Sequence, residues 1–452
     1  MKIAKYIFSP VIFPIIFFAL VILVGSMLLH SAEMNTTSSI SWTDSIFTAT
    51  SAACVTGLTV VDTGTYFTEL GQIVILCLIQ IGGFGIMTLT SLSIYLWRRK
   101  TSITDRIAVG QLLLHDTRFN LGKFLIEIVC WTLLIEFIGA VLIYILAAES
   151  FSFFSAIFHS VSAFCNAGFS LFSDNLVSWK DDWGINLIFI VLIILGGIGF
   201  SVFVESKNYL KNVLFKQNTG YQLSWYSQMV IRTSLFLIIS GWLSIYIAEY
   251  VGYSRIKILD DALLTSLFQS VTSRTAGFNT INIGQMTNVS LVIILCLMFI
   301  GGAPGSCAGG IKVTTFRTIV AVIVSEITGK KQAVIGKYAI NETAVKKAMV
   351  LFVISVMVIF LATFLLDFTE GGDKPHYQVR GQFLEILFES VSAFCTVGLS
   401  TGLTPHLSTI GKWIIIALMF IGRLGPFVLI TALQSVQDIQ YYKLPEENVM
   451  IG

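Results

Sequence analysis

The 452-residue sequence is 55% hydrophobic and 12% charged, with a mean hydropathy of +0.83, which excludes an ordinary water-soluble globular domain and fits a polytopic membrane protein. Its net charge of +2 leaves no basic footprint for nucleic acid. The seven cysteines, at 54, 77, 130, 165, 296, 307 and 395, form no CxxC pair and read as reduced core residues, and the five histidines, at 30, 115, 159, 376 and 406, show no metal spacing.

The first apolar run, 7–29, follows two lysines and exceeds the ~7–15-residue core of a signal peptide, so it predicts the first membrane span. Further spans are predicted at 72–96, 122–147, 183–204, 229–251, 287–326 with a glycine-rich break, 344–367 and 411–433. Between the members of each pair lies a shorter semi-apolar stretch, at 43–55, 152–165, 260–273 and 382–395. At ~1.5 Å per residue such a stretch cannot cross a core ~30 Å thick. Each predicts a re-entrant helix. The N-terminus, the linkers 97–123, 205–232 and 312–347, and the tail hold most of the 28 lysines and arginines, which places them and both termini on the cytoplasmic side. The other face carries the larger share of acids, a rim that concentrates cations.

The short segments are related to one another. They end in "ATSAACVTGLTV", "SVSAFCNAGFSL", "SVTSRTAGFNTI" and "SVSAFCTVGLST", and Gly57, Gly168, Gly277 and Gly398 recur roughly every 110 to 120 residues. A second landmark follows each glycine in the same order: "IGGFG" at 81–85, "LGGIG" at 195–199, "IGGAPG" at 300–305 and "IGRLG" at 421–425. One such glycine usually marks close helix packing; four in register after helices too short to span point to a shared structure. The fold expected is an all-α membrane protein of four tandem span, pore-helix, span repeats, with eight transmembrane helices and four re-entrant pore loops in pseudo-fourfold symmetry about a central pore. The repeats divide as 1–100, 101–212, 213–335 and 336–437, followed by a tail, 438–452. Glycine lets carbonyls face the axis without a Cβ in the way, and a ring of carbonyls can replace the hydration shell of a potassium ion.

"VTGL", "NAGF", "TAGF" and "TVGL", each between a short helix and a glycine-doublet span, resemble the four degenerate signatures of the Trk/Ktr/HKT superfamily of potassium transporters. "GGAPGSCAGGIKVTT" at 301–315 and "YYKLPEENVMIG" at the C-terminus are similar to the Ktr membrane subunit. The resemblance implies a potassium-selectivity filter whose backbone carbonyls bind the ion, built from Val55, Thr56, Gly57, Leu58, Asn166, Ala167, Gly168, Phe169, Thr275, Ala276, Gly277, Phe278, Thr396, Val397, Gly398 and Leu399. In plant relatives a serine at the first glycine accompanies sodium permeation, so Gly57 favours potassium. Every copy lacks the second glycine and the tyrosine of "TVGYG", which leaves the strictness of potassium over sodium open.

Gly301, Gly302, Pro304, Gly305, Ser306, Gly309 and Gly310 interrupt the sixth span, and such residues prevent a continuous helix. A phosphate-binding loop is set aside, because no "GK[ST]" follows and no strand precedes. The resemblance makes segment 301–315 a gating loop, with Gly305, Ser306, Cys307, Ala308, Gly309, Gly310 and Lys312 as gate residues and Arg423 as an electrostatic barrier beneath the filter. A charge at that depth is costly, and the alternative for Arg423 is a salt bridge with Glu127, Glu136, Glu205 or Glu326. Arg274 is expected to point behind the filter and brace the short helix, in keeping with the one-residue deletion in that copy.

The resemblance further implies uptake of potassium across the plasma membrane by the translocating subunit of a Ktr-like complex. It implies a homodimer in membrane lipid on a separate cytosolic ring of RCK type that binds ATP or ADP, sodium as an activator, and no bound metal beyond potassium at the filter carbonyls. The alternatives on the same scaffold are a sodium-coupled potassium symporter and a sodium-permeable, HKT-like uniporter. Transporters often carry inverted repeats around a midplane site, whereas these four copies are parallel. A membrane enzyme needs convergent His, Asp or Ser clusters at membrane depth; the spans carry none, so no catalytic residue is expected.

Overall fold

A computed structural model of the protein describes residues 12–36, 40–84, 121–215, 222–251, 259–371 and 375–425. Helix α1 (Ile12–His30), the short α2 (Trp42–Ala53) and α3 (Glu69–Gly83) come first. They are followed by α4 (Leu121–Leu146), α5 (Phe153–Phe164), α6 (Trp183–Gly197) and α7 (Phe200–Leu214). A third set holds α8 (Trp225–Tyr246), α9 (Leu259–Thr272), α10 (Asn288–Phe299) and α11 (Val313–Ile327), and a fourth α12 (Glu342–Glu370), α13 (Gln382–Phe394) and α14 (Thr409–Leu424).

α1, α4, α8 with the π turn that continues it to Val251, and α12 are each long and apolar enough to cross a membrane, the window of α12 reaching a mean hydropathy of 3.0. α12 leaves Met357, Phe360, Phe364 and Phe368 between 63% and 75% exposed. An apolar face of that kind is a liability in water and the ordinary surface of a helix in lipid. The chain is a multi-pass membrane protein.

The short helices lie close to the predicted stretches and start on polar caps: Ser41 Oγ accepts from the Asp44 N–H and Ser152 Oγ from the Ser155 N–H, both at 3.1 Å. They form the core. Phe47, Phe158, Phe268 and Phe388, at one register position of α2, α5, α9 and α13, are each 0% exposed.

The second helix of each set ends sooner than hydropathy alone indicates. α3 stops at Gly83, α6 turns through 111° into α7, α10 gives way to a loop at Ile300, and α14 stops at Leu424. The predicted continuations to 96 and 433 lie outside the described residues; the continuation to 204 is broken at Gly199, whose φ is +87°. In the first, second and fourth sets the glycine landmark explains the break point. A Cβ on Gly82, Gly196 or Gly422 would lie 2.2, 1.8 or 1.7 Å from the carbonyl oxygen of Ala53, Phe164 or Phe394. The second helix therefore presses its backbone on the end of a short one, and each glycine costs the helix ~1 kcal/mol relative to alanine.

The sets interlock in a circle. α3 packs on α5, α6 on α9, α10 on α13, and α14 returns to α2. Lys412 Nζ on α14 meets Asp44 Oδ1 on α2 at 2.6 Å, closing the ring with a half-buried ion pair. Among the described residues a short hairpin departs from the all-α pattern, pairing Val334–Ile335 (β1) with Tyr338–Ala339 (β2) around Gly336 at φ +64°, and the Tyr338 ring lies tilted against Trp225 at the start of α8.

Candidate ion-conduction site

The segments that follow the four short helices converge on one another. A Cβ added to Gly57 would lie 2.4 Å from the Ala167 carbonyl oxygen; on Gly168, 2.8 Å from Gly277 Cα; on Gly277, 2.6 Å from the Val397 oxygen; on Gly398, 2.1 Å from the Thr56 oxygen. The contacts run from first to second, third and fourth segment and back to the first. The glycines form a closed ring, and a side chain on any of them displaces the next segment's backbone.

All four glycines have positive φ, at 94°, 69°, 79° and 91°, and so have the residues two before them: Val55 (57°), Asn166 (59°), Thr275 (72°) and Thr396 (49°). Thr56, Ala167, Ala276 and Val397 between them do not. Alternating left- and right-handed residues put successive carbonyls on one side of the chain, whereas an extended strand alternates them. Three of the four non-glycine residues so held are β-branched, a genuine outlier that costs ~1–3 kcal/mol each. Among the described residues, no carbonyl of 55–57, 166–168, 275–277 or 396–398 accepts a protein hydrogen bond, although these segments are buried. An orphaned buried carbonyl costs ~1–3 kcal/mol. The ring is thus built around oxygens that the protein itself leaves unpaired.

A hydroxyl at one register position of each short helix braces the strained segment. Ser51 and Ser392 accept from the Gly57 and Gly398 N–H groups, both at 3.1 Å, while Ser162 and Thr272 donate to the Phe169 and Phe278 carbonyls at 2.8 and 2.6 Å. The Asn166 amide, in the orientation that satisfies its nitrogen, turns back to donate to the Ala163 and Ile193 carbonyls, so its backbone rather than its side chain meets the axis.

On one side of the ring lies a vestibule of about 500 Å³ that touches all four glycines together with Asp62 and Asp174. Burial works to raise the Asp62 carboxyl, but hydrogen bonds from Ser173, Thr65 and Gly64 outweigh it and hold the group below its ordinary value. Asp62 keeps its negative charge at the mouth. Other acids of the same face have structural duties: Asp182 caps α6, Glu249 accepts from the Thr287 N–H at 2.7 Å, and Glu370 from the Ser408 N–H at 3.0 Å.

The other side of the ring is crossed by the loop between α10 and α11. Its Ala303 and Cys307 N–H groups donate to the Gly197 and Gly196 carbonyls at 3.0 and 3.2 Å, and Cys307 Sγ to the Gly83 carbonyl at 3.0 Å. A Cβ on Gly309 would lie 2.1 Å from Thr396 Oγ1, so this glycine sits directly against the fourth segment. Lys312 folds back to donate to the Ala308 carbonyl at 2.6 Å. Arg423, 8% exposed, donates to the carbonyls of Cys307 in the loop and Gly82 on α3. Its expected alternative partners are engaged elsewhere or show no ion pair with it among the described residues: Glu127 pairs with Lys207, Glu136 accepts from Gln80 at 3.2 Å, and Glu205 accepts from Ser224 at 2.8 Å. A salt bridge for Arg423 is thus replaced by carbonyl contacts at the end of a helix, where a cation is favoured.

Arg274 reaches away from the ring to the Ser234 carbonyl and hydroxyl at 3.3 Å and to the Gly301 carbonyl at 3.4 Å. It ties the shortened third segment to α8 and to the start of the loop.

A sequence model described as TrkH, "Cation transport protein", matches residues 14–439. The chain belongs to the TrkH cation transport family. Within it, the chain is 39% identical to Ktr system potassium uptake protein B of Bacillus subtilis (strain 168), over 100% of this chain and 99% of that one. It is 36% identical to Ktr system potassium uptake protein B of Vibrio alginolyticus, over 95% and 92%, and 35% identical to the potassium/sodium uptake protein NtpJ of Enterococcus hirae, over 96% and 95%. The fold is that of the crystal structure of the potassium transporter TrkH from Vibrio parahaemolyticus, with a TM-score of 0.72 at 22% identity over 93% of this chain and 83% of that one. The family is one of transporters and not an enzyme class.

In this TrkH-family chain the four segments singled out as filter converge in one ring, and of the residues singled out as gate Gly309 abuts Thr396 while Arg423 bonds to Cys307. Residues the sequence reading passed over are the bracing hydroxyls and His159, whose Nδ1–H donates to the Ser155 carbonyl at 2.7 Å so that Nε2 accepts from Ser170 Oγ at 3.0 Å. The hydroxyls stand in the four aligned segments at one position and were legible there. His159 carried no such signal, because its counterparts are chemically different.

Proposed function

We propose that this chain takes up potassium across the plasma membrane as the translocating subunit of a Ktr-like system. The reading rests on one observation above the rest: a closed ring of four glycines flanked by buried carbonyls that no protein group satisfies. A dehydrated monovalent cation is the partner such oxygens lack, and four segments supply it from four sides. Val55 to Leu58, Asn166 to Phe169, Thr275 to Phe278 and Thr396 to Leu399 are then the filter, and the partly negative ends of α2, α5, α9 and α13 face the ion.

The loop bearing Gly305 to Gly310 and Lys312 acts as the gate, held by Arg423, whose charge opposes cations in the path below. That the loop bonds to the glycine landmarks of neighbouring repeats and abuts Thr396 supports this role. Relatives are named as potassium uptake proteins of a Ktr system, and the word system fits a complex of several components. We extend this to a homodimer on a cytosolic nucleotide-binding ring carrying ATP or ADP, with both termini cytoplasmic and sodium as an activator; the tail at 438–452 and the linker at 97–120 lie outside the described residues. The parallel repeats around one axis favour a pore over sodium-coupled symport.

Rubidium uptake into cells devoid of other potassium systems tests the proposal. Expression of this chain with a Ktr-type cytosolic partner restores saturable rubidium and potassium uptake; absence of uptake by correctly inserted protein contradicts it.

A further inference from the structure

One register position of the four short helices carries four different polar residues, each following a fully buried phenylalanine: Thr48, His159, Gln269 and Glu389. Three of them reach the chain beyond the glycine ring by the same step of eleven residues. His159 meets Ser170, Gln269 Nε2 donates to Thr280 Oγ1 at 3.4 Å, and Glu389 accepts from Ser400 Oγ. The struts stand at equivalent places, and Glu389 alone among them is an acid.

Glu389 is 0% exposed. Besides Ser400, the Thr401 N–H donates to its Oε1 at 3.2 Å and Thr404 Oγ1 to its Oε2 at 2.8 Å. Ser400 in turn accepts from the Gly402 N–H at 2.9 Å. Ser400, Thr401 and Gly402 all line the vestibule beside Gly398. No lysine, arginine or histidine pairs with Glu389 among the described residues. A buried carboxylate is strongly disfavoured unless something compensates it, and hydrogen bonds from hydroxyls supply no counter-charge.

We propose that Glu389 is a specificity-determining positioning residue of the outer mouth. It fixes the turn 400–404 on the fourth side of the ring, and a cation resting in the adjoining vestibule supplies the counter-charge that the protein withholds. The inference rests on the filter reading above. It gives the pseudo-symmetric ring one electrically distinct side, so cation capture at the mouth depends on this carboxylate in a way that it does not depend on His159 or Gln269.

The experiment measures rubidium uptake against concentration for wild type, E389Q, Q269E and the double variant E389Q/Q269E, with purified samples checked for monodispersity. E389Q is expected to raise the KM at least fivefold while Vmax per inserted protein changes less than twofold, and the double variant, which moves the carboxylate to the equivalent strut, to recover most of the KM. An unchanged KM in folded E389Q, or a folded double variant with no recovery, overturns the proposal; the second outcome assigns Glu389 a purely structural role. If E389Q fails to fold, Q269E alone carries the test: a second carboxylate is expected to lower the KM, and an unchanged or raised KM in folded Q269E overturns the charge assignment. G398S runs in parallel. A G398S protein with wild-type selectivity refutes the filter reading, whereas altered selectivity in G398S with an unaltered KM in E389Q refutes only the role of Glu389.

Discussion

Replacing Gly398 by serine puts the tightest point of the ring under load. The new Cβ would stand 2.1 Å from the Thr56 oxygen and 3.0 Å from Gly57 Cα, with φ at +91°. Real Cβ atoms essentially never approach other atoms more closely than 3.0 Å, so the Thr56 carbonyl must retreat by roughly 1 Å for ordinary contact to return. Backbone strain of ~1–3 kcal/mol for a side chain at this φ adds to ~1–3 kcal/mol of overpacking. The displaced group is one of the unpaired oxygens of the proposed filter. Since ~1.4 kcal/mol is a factor of ten, the ratio of potassium to sodium uptake is expected to fall at least ~tenfold. Competing rubidium and sodium tracer fluxes measure it. The same reasoning ranks the four sites: Gly57 follows at 2.4 Å, then Gly277 at 2.6 Å, and Gly168 is the mildest, because its nearest neighbour is 2.8 Å away and its φ of 69° borders the left-handed region other residues enter. Wild-type selectivity in G398S, or G168S as the most damaging of the series, would refute the reasoning.

Further outcomes follow from the surrounding contacts. Deleting residues 305–310 removes the loop against Thr396 and is expected to raise partner-free rubidium flux severalfold; flux as low as wild type means the loop is not the gate. R423Q loses the charge on the Cys307 and Gly82 carbonyls and should also raise basal flux, in the same assay. D62N is expected to raise the KM for uptake about two- to fivefold, an effect that shrinks with ionic strength as the vestibule field is screened. Because the Asp62 carboxyl sits below its ordinary value, its contribution is complete at neutral pH and is lost as pH falls through that depressed value. Acid sensitivity of wild-type KM setting in above the ordinary carboxylate range would therefore not belong to Asp62. G422A drives a Cβ to 1.7 Å from the Phe394 oxygen, a backbone clash expected to cost ~3 kcal/mol or more and to appear as a lowered unfolding temperature in detergent.

The short helices could be located from the sequence because their length and their glycine landmarks repeat four times, and the residues of the ring followed from the same alignment. What the ring demands of the backbone could not. Val55, Thr275 and Thr396 are β-branched residues at positive φ, where local preference argues against them and only the surrounding packing holds them. Hydropathy read through Gly197 without seeing that the doublet there bears on a helix end, so the bend of 111° between α6 and α7 went unread. Arg423 was given carboxylates as possible partners, because a sequence displays charged side chains and hides the carbonyls that a helix leaves free at its end. Nor does a sequence pair Asp44 with Lys412, a residue 368 positions away.

The central claim is that the orphaned carbonyls around Gly57, Gly168, Gly277 and Gly398 hold a dehydrated cation. The anomalous scattering of a crystal grown in rubidium tests it most directly. The expected map shows rubidium on the axis of the ring, between the carbonyls of Thr56, Ala167, Ala276 and Val397. An empty axis in protein that still takes up rubidium, with the ion ordered elsewhere in the membrane region, would contradict it.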